Sequence, residues 1–98
     1  MKYRKKPVVV EASPWWRAGD HPSVVCPVPA GVPIPVESVG REPAVRARLG
    51  AIRTLEGWLL VTPGDYVIEG VQGEHYACKP EIFLQTYEPV GENTEVGA

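Results

Sequence analysis

Along this chain apolar and polar residues alternate in short runs, and apolar residues keep a helical spacing for at most about two turns at a time. Val8 and Val10 fall on one side of an extended segment, with Val9 and Glu11 on the other. That period of two predicts a strand over residues 3–12, closed by Ser13-Pro14. Trp15 and Trp16 follow directly. Neighbouring residues of an extended backbone point to opposite sides, so one indole is expected in the core and the other at the surface or under a loop.

Residues 17–40 hold prolines at 22, 27, 29, 33 and 35, interleaved with Val24, Val25, Val28, Val32, Ile34 and Val36. Proline at this density blocks a helix or a central strand and leaves an extended run. Its apolar residues predict packing along the domain or against another subunit. Pro43 to Leu49 reads as a short helix, with proline at the first turn and Gly50 as the stop. Strands are expected at 51–55, 58–62, 66–70, 74–78 and 87–90. Glu56-Gly57, Pro63-Gly64-Asp65 and Gly70 to Gly73 supply the turns. Pro80 opens a second helix running to residue 86, and residues 91–98 read as a frayed polar tail.

The fold class that follows is α+β, mostly antiparallel: one domain over 1–98, with a small sheet or partial barrel and one or two short helices. The predicted core is Val8, Val10, Leu49, Ile52, Leu60, Tyr66, Ile68, Tyr76, Ile82, Phe83 and Tyr87.

Composition adds limits. The 98 residues suffice for one core, and 11 Pro with 10 Gly argue against a helix bundle. A net charge of −2 gives no general attraction to nucleic acid, although residues 1–53 carry nine bases and four acids while residues 54–98 carry Lys79 against eight acids. No apolar run approaches a membrane span, and the basic start lacks the apolar stretch of a signal peptide, so a cytoplasmic protein with no membrane partner is expected. Cys26 and Cys78 are then expected as thiols.

Catalytic and cofactor chemistry finds little to work with. His21, Cys26, His75 and Cys78 are the residues a zinc site would gather, but His75 and Cys78 stand at i and i+3 on a strand and face apart. A Cys78–His75 nucleophile has no Asn or Asp placed by sequence to orient the imidazole, and no phosphate-loop pattern surrounds the glycines. No enzyme, metal or cofactor is therefore expected. Lys2, Arg4, Lys5 and Lys6 with Tyr3, Trp15 and Trp16 are thin for a nucleic-acid strand, and a small nucleotide suits them better.

Two blocks of sequence carry a resemblance. They are Tyr3-Arg4-Lys5-Lys6-Pro7-Val8-Val9-Val10-Glu11-Ala12 and the series Pro63-Gly64-Asp65-Tyr66, Gly73-Glu74-His75-Tyr76, Cys78-Lys79-Pro80-Glu81-Ile82-Phe83 and Thr86-Tyr87-Glu88. In this order they resemble a family of small uncharacterised bacteriophage and prophage proteins. The resemblance implies a phage-encoded accessory protein and no particular reaction. With no catalytic motif in the sequence, the expected role is non-enzymatic, in the host cytoplasm, binding a host protein or a small nucleotide signal. The alternative is a structural subunit of the virion, associated with capsid or tail.

Four residues are the candidate ligand contacts: Trp15, Trp16, His75 and Lys79. Lys79 is the sole base after Arg53 and is expected to pair with one of the acids around it, Glu81 or Glu74 being nearest in sequence, with Trp15 as its aromatic companion. Trp15, Trp16 and the Pro/Val segment also offer apolar surface for a homo-oligomer, most simply a dimer.

Overall fold

A computed structural model describes residues 1–4, 6–35 and 40–90. The predicted tail, Lys5 and the stretch containing Val36 lie outside the described residues. The chain runs β1 (Glu11–Pro14), α1 (Glu42–Arg48), β2 (Gly50–Thr54), β3 (Gly57–Val61), β4 (Tyr66–Glu69), β5 (His75–Cys78) and α2 (Pro80–Thr86). Every pairing is antiparallel, and the strands form two small open sheets, β1-β4-β5 and β2-β3. The fold is small α+β, as expected. The single rolled sheet is replaced by two separate ones.

Local sequence sets most of these limits. Both helices carry proline in their first turn, where a missing N–H costs nothing. The β2–β3 hairpin turns at Leu55-Glu56 rather than Glu56-Gly57. Thr54 Oγ1 donates to the Gly57 carbonyl at 2.7 Å and accepts from the Glu56 amide, while Gly57 supplies the positive φ, +113°, that returns the chain. Arg53 is thereby placed directly opposite Trp58.

The first predicted strand is much shorter than its sequence pattern. Pairing starts only at Glu11, opposite Glu69, because β4 ends there and Gly70 leads into the next connection. Residues 6–10 run past the end of their partner strand. Val8 is exposed and Val10 half-buried, so neither belongs to the core. Residues 87–90 likewise form no strand, and Ile82 is exposed on α2.

The interior closes around Trp15. Its side chain is fully buried against Val24, Ile52, Val61 and Val67, with Cys26 and Ala77 packed alongside. A second cluster joins Val28, Val32 and Ala51 to Ile34, Leu49 and Leu60. The Pro/Val segment therefore does pack along the domain, anchored by paired backbone bonds between Val25 and Ala51 at 2.8 and 2.9 Å. Gly50 leaves the space these side chains need: a methyl there would run into Val24 Cγ1 and the Trp15 ring.

The other face of β4–β5 is covered by α2. Tyr66 stacks on Phe83 with ring centroids 4.0 Å apart, and Phe83 on Tyr87 at 5.0 Å. Both faces of β4–β5 are thus occupied. Ala77 packs into the Trp15 cluster.

Removing the Trp15 ring by Trp15→Ala should cost about 3–5 kcal/mol, the range for a large buried aromatic. At about 4–8 °C per kcal/mol for a domain of this size, melting should fall by at least about 12 °C or folding should fail. Trp16→Ala, at a residue 60% exposed, should shift melting by only a few degrees. Thermal denaturation of the two variants checks the assignment.

Candidate functional site

The four candidate contacts separate in the structure. Trp16 and Lys79 flank one turn, Trp15 lies inside the core beneath it, and His75 sits at the opposite end of β5 from Lys79. Trp15 is corrected as a ligand contact: a side chain with no exposed surface cannot meet a partner. Burial also removes it, with Val24, Val28 and Val32, from any surface for self-association.

Pro63-Gly64-Asp65 is locked from several sides. The Trp15 amide donates to the Asp65 carbonyl at 2.8 Å, and the Gly64 amide donates to the Trp15 carbonyl at 2.7 Å. Asp65 is buried, and its Oδ2 accepts from the Thr62 amide at 2.9 Å. Its Oδ1 lies 3.2 Å from Lys79 Nζ, which also donates to Thr62 Oγ1 at 2.8 Å. Lys79 therefore pairs with Asp65 and not with Glu81 or Glu74. Strand spacing explains why, since Tyr66 is registered opposite Cys78 and the residues next to them meet. Trp16 lies over Gly64, with its amide and that of Arg17 donating to Asp20 Oδ2. This is a structural lock around a buried carboxylate, and its base is engaged.

At the other end of β5, His75 meets His21 edge-on, with ring centroids 5.3 Å apart, and its Nε2 stands 3.9 Å from Glu69 Oε1. The Ser23 amide donates to His21 Nδ1 at 3.0 Å, which makes Nδ1 an acceptor. Burial, and then the neighbouring His75 ring, hold His21 below its ordinary imidazole value, with Glu69 pulling the other way.

The thiols are separate. Cys26 Sγ donates to the Leu49 carbonyl at 3.1 Å, and both cysteines are free. Burial, then Asp65 and Glu81, push the Cys78 thiol up and disfavour the thiolate. His75 and Cys78 emerge on opposite faces of β5. Among the described residues no three His, Cys, Asp or Glu side chains gather as a metal site. Tyr76 bonds Tyr87, hydroxyl to hydroxyl at 3.3 Å, which with burial pushes its pKa up to about 12.

A surface that the alternation of residues does not mark lies beside His75. An open groove of about 1040 Å³ runs between the β2–β3 hairpin and the start of β5, lined by Arg53, Leu55, Trp58, His75 and Tyr76, with Glu56 and Glu74 along it. The Arg53 guanidinium carbon stands 5.4 Å from the Trp58 ring centroid. Leu55 is fully exposed at the hairpin tip. The signal that finds this face is the hairpin register: a two-residue turn at 55–56 sets Arg53 against Trp58, whereas a turn at Glu56-Gly57 does not.

No helix among the described residues is long and apolar enough to cross a membrane. Comparison with protein-family models, curated proteins and solved structures found no match.

Two outcomes test this geometry. Lys79→Met strips the counter-charge from a buried carboxylate, so its cost should exceed the ~0–1 kcal/mol of a surface pair and stay below the ~3–5 kcal/mol of a fully buried one; about 1–2 kcal/mol is expected from urea unfolding. His21 has a folded pKa below its ordinary 6.5, so the unfolded chain takes up the proton first as pH falls. Stability should therefore drop as pH goes below about 6.5 and level off under the folded value. His21→Gln should flatten that part of the profile.

Proposed function

We propose that this chain is a non-enzymatic, phage-encoded accessory protein that captures a host protein in the host cytoplasm, using the face formed by Arg53, Leu55, Trp58 and Tyr76. One observation carries the reading: Trp, Tyr and Arg, the residues that dominate binding energy at protein interfaces, converge on one open groove beside an exposed leucine. Phage origin rests on the resemblance of the two sequence blocks. The groove favours a protein over a small nucleotide, because Arg53 is opposed there by Glu56 and Glu74 and phosphate needs converging cations. Lys79, which would have supplied such a charge, is committed to Asp65.

His75 keeps a place in this reading and Trp15 does not. Arg53 is held over Trp58 before any partner arrives, so the guanidinium and indole are presented together with little ordering left to do.

A photo-crosslinking residue at position 55 should trap one host protein in infected cells. Trp58→Ala should weaken binding of that protein by about 30-fold, the scale of a hot-spot residue, while melting changes by only a few degrees. Finding the chain in stoichiometric amount in purified particles, with crosslinks only to virion proteins, would overturn the reading in favour of a virion subunit.

A further inference from the structure

A second groove, of about 380 Å³, lies between the segment leading into β1 and the α2 end of the chain. Val8, Val9, Tyr66, Leu84, Tyr87 and Val90 line it, and Val8, Val9, Leu84 and Val90 are exposed. Its charged lining is Glu11 and Glu88. An apolar floor with an acidic rim fits an occupant that is apolar and basic in alternation.

This chain carries such a segment. Residues 1–7 read Met-Lys-Tyr-Arg-Lys-Lys-Pro, without an acid. Met1 and Tyr3 are almost fully exposed, and Lys2, Arg4 and Lys6 make no ion pair within the described residues. No backbone hydrogen bond ties residues 1–4 or 6–10 to the rest of the described chain. In an extended segment Met1 and Tyr3 share one side and Lys2, Arg4 and Lys6 the other. The arm leads directly into Val8, the groove's own wall, so entering its own groove would require it to double back.

We propose that the N-terminal arm of one copy lies along the groove of a second copy and that the exchange is reciprocal. Arm and wall are one continuous segment, so two copies laid antiparallel along it place each arm on the other's groove by a single two-fold rotation. Met1 and Tyr3 meet the apolar floor, and Lys2, Arg4 and Lys6 meet Glu11 and Glu88. The exposed edge of β1, which has β4 on one side only, is covered by the same contact. This face is separate from the groove beside Trp58, so the dimer leaves that groove open.

Sedimentation of the full chain over a concentration series should give twice 10.7 kDa at the upper end, with dissociation promoted by salt. An arm-reversed variant (Lys2→Glu, Arg4→Glu, Lys6→Glu) and a groove-reversed variant (Glu11→Lys, Glu88→Lys) should each dimerise at least about tenfold more weakly. Mixing the two should restore a dimer, because each arm then meets a groove of opposite charge. Circular dichroism and melting of each variant establish that both are folded. A concentration-independent 10.7 kDa particle, a dimer indifferent to either reversal, or folded variants that fail to pair on mixing would each overturn the proposal.

Discussion

Burial of the Trp15 indole is the constraint on which the rest of this small domain depends. A buried Trp removes about 150–250 Å² from water, worth about 4–6 kcal/mol at about 25 cal/mol per Å². Its Nε1 has no hydrogen-bond partner among the described residues, a cost of about 1–3 kcal/mol. Burial wins by a margin large for so short a chain. The same residue's backbone holds the Pro63-Gly64-Asp65 turn through both its N–H and its carbonyl. One position thus joins the two sheets, the Pro/Val segment and the turn between β3 and β4.

That arrangement decides which surfaces are left for function. β4–β5 packs on one side against the Trp15 cluster, and on the other Phe83 of α2 stacks between Tyr66 of β4 and Tyr87. Asp65 and Lys79 are absorbed in holding the turn. Two grooves remain outward among the described residues: the one beside the β2–β3 hairpin, with Arg53 and Trp58, and the apolar edge where the N-terminal segment passes α2. The two lie on different elements and need not compete. A small domain can in this way carry a partner face and a self-association face together.

The sequence is legible where structure is local. Both helices, the Pro63-Gly64-Asp65 turn and the β4–β5 hairpin follow from proline and glycine placement, and their observed bounds differ from the expected ones by a residue or so. Residues 3–10 mislead because alternation signals a strand without saying whether a partner extends far enough to pair, and β4 is four residues long. Trp15 and Trp16 are indistinguishable to a period-two pattern until the register of β1 is known. Val24, Val28 and Val32 could be read as packed, but their role as core comes from contacts distant in sequence. The Arg53–Trp58 face does not show in the sequence because a turn at Glu56-Gly57, one residue later than the observed one, changes every cross-strand pair.

Native-state hydrogen exchange at the Trp15 and Gly64 amides tests the central claim most directly. If Trp15 joins the sheets and the turn into one unit, both amides exchange only with global unfolding, at the same protection as Val67 and Ile68 in β4. Exchange of Trp15 or Gly64 at the rate of the solvent-exposed connections, while β4 stays protected, would contradict it.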